Sequence, residues 1–78
     1  MVATTVIPGG AAGAHRIDGD LDASGDTLIS VRHVSDDLET NDDLTGEFSV
    51  TGHNEITNDT TDTSGDFLVV TYAKAEDA

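Results

Sequence analysis

The chain has 78 residues, sixteen of them Asp or Glu and only three Lys or Arg, for a formal net charge of −13. That length allows one small domain, and without cysteine it has neither a disulfide framework nor a thiolate metal site. A charge this negative repels nucleic acid and anionic lipid, and no apolar run approaches the roughly 18 residues that span a bilayer, so neither is expected as a partner.

At molar salt the Debye length falls to about 3 Å and self-repulsion is screened. An acid-rich, Lys-poor, Thr-rich chain therefore fits a high-salt cytoplasm. Low hydrophobicity with high charge is also the signature of disorder. The apolar residues argue against that, because they fall into short patterned runs separated by polar stretches.

In chain order, Ala3-Thr4-Thr5-Val6-Ile7 is β-branched and stops at Pro8-Gly9-Gly10. Residues 1–13 could alternatively lie out as an extended arm. No basic residue precedes Arg16, and Val2 to Ile7 is too short for a signal-peptide core, so the chain is read as made in the cytoplasm. Ala14-His15-Arg16-Ile17 is a weaker strand. Thr27 to Val34 reads as a strand with Ile29 and Val31 on one face and Leu28 and Val34 on the other. Residues 35–43 carry five acids and read as a loop.

Leu44 to Thr51 alternates strictly, with Leu44, Gly46, Phe48 and Val50 on one face and Thr45, Glu47, Ser49 and Thr51 on the other, which predicts a strand with one wet side. Glu55-Ile56-Thr57 is a short strand candidate. Phe67 to Ala73 is nearly all apolar, which predicts cover on both faces. Lys74 to Ala78 reads as a frayed tail. Together these predict one all-β domain over residues 1–78, a small sandwich or open barrel of about five to six short antiparallel strands.

Few patterns carry chemistry. Asp18, Asp20 and Asp22 are spaced like the start of a calcium-binding EF-hand loop. The turn glycine would then be Ala23 and the closing acid Ile29, and no helix flanks the run, so a solvated turn is the plainer reading. The stretch from Asn58 to Asp66 poses the same question. His15, His33 and His53 show no ligand spacing. No serine lies in a nucleophile-elbow motif, and Gly9, Gly10 and Gly13 form no phosphate loop. No catalytic residue, metal or cofactor is expected. Asn58-Asp59-Thr60 is an N-glycosylation sequon.

Three segments in order carry a resemblance: Gly25 to Val31, then Leu44 to Thr51 leading to Asn54-Glu55-Ile56-Thr57-Asn58, then Ser64 to Tyr72. They resemble small head-associated, decoration-like virion proteins encoded near the major capsid gene of tailed bacterial and archaeal viruses. The resemblance covers roughly the last two thirds of the chain, and the acidic stretches 18–26 and 35–43 depart from it in a way that fits a haloarchaeal host. It implies a structural role in the virion, with the major capsid protein or another virion protein as partner.

The alternative is an acidic DNA mimic that occupies a basic groove of a host enzyme. A mimic, however, needs acids spaced along one face at about one charge per 1.7 Å, and here they sit mainly in expected turns. In the apolar strand, Leu68, Val70 and Tyr72 point one way and Phe67 and Val69 the other. One small domain has little material to cover both, so these five are candidate interface residues, with a homotrimer as the first expectation.

Overall fold

The computed structural model describes residues 1–75, which form seven strands in two antiparallel sheets. The strands are β1 (Val2–Pro8), β2 (Gly13–Arg16), β3 (Thr27–Val34), β4 (Asn41–Asp43), β5 (Ser49–Gly52), β6 (Glu55–Asn58) and β7 (Phe67–Ala73), with one turn of 3-10 helix at Thr45–Glu47. The larger sheet runs β1-β7-β3-β4 and the smaller β2-β6-β5. The all-β class is as the patterning predicts, with seven strands where five or six were expected.

Strand β7, apolar at nearly every position, lies inside the larger sheet between β1 and β3. Leu68, Val70 and Tyr72 face inward and are buried with Ile7 and Val31 from the same sheet, Ile56 from the smaller one, and Ile17, Leu21 and Phe48 from the connections. Leu68, Val70 and Tyr72 therefore belong to the core, which corrects their reading as interface residues. Phe67 and Val69 point to the opposite face.

Residues 2–8 are not an arm: every one pairs with β7, from Val2 opposite Ala73 to Pro8 opposite Phe67. The chain then crosses between the sheets at Gly9 and Gly10. There Gly10 donates to Thr63 Oγ1 (3.1 Å) and its carbonyl accepts the Thr63 N–H (2.9 Å). A Cβ on Gly9 would overlap the Thr63 carbonyl and hydroxyl, so the crossing needs glycine.

Three further expectations change. A bulge between Leu28 and Ser30 leaves Ile29 unpaired, which turns Leu28 and Val31 to the same inner face and exposes Ile29. The acidic stretch 35–43 is not all loop, because Asn41–Asp43 pairs with β3. Arg32 makes this possible: its guanidinium donates to Asn41 Oδ1 (2.6 Å) and O (3.2 Å) and lies opposite Asp43.

The expected strand from Leu44 to Thr51 is a strand only from Ser49. Asp43 accepts the N–H and O–H of Thr45, and this turn leads into the 3-10 bond from Glu47 N to Leu44 O (2.9 Å). The apolar positions still reach the core: Phe48 is buried, and Leu44 and Val50 pack against it.

Of the expected frayed tail, Lys74 and Ala75 are tied down. Lys74 N donates to Met1 O (2.8 Å) and Ala75 N to Asp26 Oδ1 (2.7 Å). Residues 76–78 lie outside the described residues.

Phe48→Ala should lower unfolding free energy by about 3–5 kcal/mol, a large part of what a small domain possesses. Denaturant unfolding at molar potassium chloride measures this, and an unchanged midpoint would remove Phe48 from the core. Gly9→Ala should lower stability by about 1–3 kcal/mol through the forced contact with Thr63, read in the same titration.

Candidate functional site

The carboxylates are concentrated in turns, and most of those turns are built from them. In Asp22-Ala23-Ser24, Asp43-Leu44-Thr45 and Asp62-Thr63-Ser64, the Asp Oδ1 accepts both the N–H and the O–H of the residue two positions on. Asp37 does the same between Ser35 Oγ (2.6 Å) and Glu39 N (3.1 Å). These are Asx turns. Hydrogen bonds from the neighbouring Ser, Thr or backbone N–H hold the pKa of all four below the usual carboxylate range.

Asp18, Asp20 and Asp22 are exposed and serve separate ends rather than one centre. The Asp18 carbonyl accepts Thr5 Oγ1 (3.2 Å), Asp20 lies 3.4 Å from Lys74 Nζ, and Asp22 closes its own turn. The cation that this stretch gathers is Lys74, whose ammonium donates to Asp20 O and Asp26 Oδ2, each at 2.6 Å. The Asp26 side chain is 3 % exposed and also accepts Asp22 N (2.8 Å) and Ala75 N. The Lys74 bond, with these backbone donors, lowers its pKa from 3.8 to about 2.

A second polar centre joins the smaller sheet to its loops. Asn58, 2 % exposed, donates from Nδ2 to Glu47 Oε1 (2.8 Å) and Thr61 O (3.0 Å). Its Oδ1 therefore accepts, from Gly13 N (3.3 Å) and from His15 Nε2 (3.0 Å), so His15 carries its proton there. Glu47 also takes Thr61 N (2.6 Å) and Oγ1 (2.9 Å), and these bonds, the Thr61 N–H first, hold its carboxyl below the usual range. The Asn58 sequon is thus closed in the folded chain, because a glycan cannot share this site.

The three histidines do not meet. His15 is buried on Asn58, His33 lies 2.7 Å from Asp66, and His53 is exposed in the β5–β6 turn. Among the described residues there is no cavity and no cluster of His, Asp or Glu that could hold a metal ion.

The remaining surface feature is the outer face of the larger sheet. Across one row lie Val6, Val69 and Arg32, and across the next Pro8, Phe67 and Val34. Val2 is 61 % exposed, Val6 60 %, Ile29 45 % and Phe67 40 %. Of the five interface candidates read from the sequence, only Phe67 and Val69 lie here. Val6 and Val2 were missed, and their alternation with Ala3, Thr5 and Ile7 was the available signal.

Stability should fall on acidification at molar potassium chloride, where loss of like-charge repulsion is largely screened out. The folded-state pKa values of Asp22, Asp26, Asp37, Asp43, Asp62 and Glu47 are depressed. The unfolded chain therefore binds protons first, and the stability that the five aspartates give above pH 3.8 and Glu47 above pH 4.5 drains away as pH falls, toward about pH 2 for Asp26. Lys74→Met should shrink the Asp26 share of that loss. A melting midpoint that rises as pH falls would mean that these carboxylates do not hold the turns.

No family model, curated protein or solved structure matches the chain.

Proposed function

We propose that the chain is a virion structural protein that decorates or cements the icosahedral head of a halophilic tailed virus, docking through the outer face of its larger sheet. The observation that carries this is the segregation of charge. Strands β1, β3 and β7 contain no Asp or Glu, although the chain has sixteen. Their outer face offers Val2, Val6, Ile29 and Phe67 to solvent, with Arg32 as the one formal charge on these three strands and Asp43 of β4 opposite it. Among the described residues the acids lie instead in the turns, in the short β4, in the helical turn and at Glu55.

An apolar face framed by a strongly charged remainder is the surface expected of a protein that sits on a larger body. The segments that resemble head-associated virion proteins include the first part of β3, to Val31, and β7 as far as Tyr72, in two of the three strands that build it. The function is then binding energy rather than catalysis. A protein that binds the assembled lattice and not the free capsid subunit stabilises assembly by mass action, and repetition over the lattice adds avidity. The chain would be made in the host cytoplasm and reside in the virion, with the major capsid protein or another head protein as partner. The DNA-mimic reading is less favoured, because carboxylates that close their own turns do not form a row of phosphate-like charges.

Two measurements test the proposal. Melting midpoints should rise as potassium chloride increases toward molar levels; a flat or falling midpoint would remove the halophilic reading. Virions purified from the host that carries the gene should contain the protein, co-banding with heads in a density gradient at molar salt. Phe67→Asp should keep its melting midpoint and lose rebinding to heads stripped of the protein. Absence from virions, or undiminished rebinding of Phe67→Asp, would overturn the docking model.

A further inference from the structure

Strand β1 lies at the edge of the larger sheet, and its free side is unlike the other sheet edges among the described residues. Strand β4 is three residues long and carries Asp42 and Asp43; β2 and β5 have four residues each. Short length and charge are common ways to keep an edge from pairing. Strand β1 has seven residues, Val-Ala-Thr-Thr-Val-Ile-Pro, and no ionisable side chain precedes His15 in a chain of net charge −13.

The backbone parity of that edge follows from its pairing with β7. Lys74 N bonds Met1 O and Gly9 N bonds Asp66 O, both at 2.8 Å, at the two ends of one continuous register. Closely bonded pairs alternate along an antiparallel ladder. Ala3, Thr5 and Ile7 therefore bond to β7, and the N–H and C=O of Val2, Thr4 and Val6 face the free side.

We infer that β1 pairs antiparallel with β1 of a second copy across a two-fold axis at Thr4, joining two four-stranded sheets into one. In that register Thr4 meets the partner's Thr4, and Val2 meets the partner's Val6. All are residues whose backbone groups face the free edge, and each such pair exchanges two backbone bonds. Val2 and Val6, both on the outer face and both largely exposed, then cover each other across the joint. Pro8, which has no N–H to give, falls outside the paired stretch. A register centred on Val6 would instead set Thr4 against the partner's Pro8, and one centred on Val2 would leave Thr4 and Val6 unpaired.

The occupant is a second copy because the edge is self-complementary about Thr4 and uncharged. Two chains of this net charge can approach there with no carboxylate on the strand itself and Asp18, bonded to Thr5, as the acid beside it, once salt screens the rest. The geometry points to a two-fold pair, not to the trimer expected from sequence. The two surfaces share Val2 and Val6, but Thr4→Pro acts on the edge backbone and Phe67→Asp on the face away from the joint, so failure of pairing and failure of head docking are separately visible.

The test uses the full chain at molar potassium chloride, with mass read by light scattering over a concentration series. Wild type should pass from monomer to dimer, more readily as salt rises. Thr4→Pro removes an N–H that the monomer does not use, a change edge strands tolerate, and should stay monomeric. Because the chain has no cysteine, Thr4→Cys supplies a sole thiol. Closely bonded pairs have Cα atoms about 5.5 Å apart, within disulfide reach, so mild oxidation should give a covalent dimer. Thr71→Cys, one strand inward on the same face, should not. A monomer at every concentration, a Thr4→Pro dimer as tight as wild type, or equal cross-linking by Thr71→Cys would overturn the pairing. If Thr4→Pro does not fold, the two cysteine variants decide it.

Discussion

Like-charge repulsion among sixteen carboxylates in a chain of 78 residues is the constraint to which the rest of this structure answers. Among the described residues the acids are mostly kept out of regular sheet, and many are placed where a donor lies close by. Asp22, Asp37, Asp43 and Asp62 take backbone N–H and hydroxyl groups inside their own turns, and Asp26 takes Lys74 and two backbone N–H groups. A carboxylate so used is both a charge and a turn-former, so the acidity that weakens a compact chain at long range fastens its loops at short range. Clearing β1, β3 and β7 of acids is the complement of that arrangement.

The apolar core is small, and polar junctions extend its reach. Asn58 and Glu47 tie β2, β6, the helical turn and the loop at Thr61 into one network. Asn54, in the left-handed region (φ 57°) at the β5–β6 turn, accepts Leu21 N with its side chain (2.7 Å), donates to Leu21 O and accepts Ile17 N with its backbone. Two asparagines on either side of fully buried Ile56 thus hold the long connection between β2 and β3 and the loop before β7. Buried polar groups satisfied this completely favour one arrangement of loops over many.

Much of the fold was legible in the sequence because strand signals are local. β1, β3 and β7 are β-branched or apolar runs, and the partition of β7 into Leu68, Val70 and Tyr72 against Phe67 and Val69 follows from period two alone. What escaped depended on partners distant in sequence or on a single turn. The alternation from Leu44 to Thr51 marked the buried face correctly, but Asp43 captures Thr45 and curls the chain before it can extend. The bulge at Ile29 shifts the period by one. The strand at Asn41–Asp43 exists because Arg32 answers its charge across the ladder. Of the apolar outer face of the larger sheet, Phe67 and Val69 follow from their strand; Val2 and Val6 do not, since an edge strand looks like any other until its neighbours are known.

The bond from Lys74 N to Met1 O places the first described residue and the end of β7 directly opposite each other on neighbouring antiparallel strands. Met1 and Lys74 therefore lie together at one corner of the larger sheet. Tension applied between those two points would load the β1–β7 ladder one rung at a time, opening it like a zipper, whereas a load spread over the outer face of the sheet is shared by all its rungs at once. The fold is therefore weak when pulled by its ends and strong when pressed through its face.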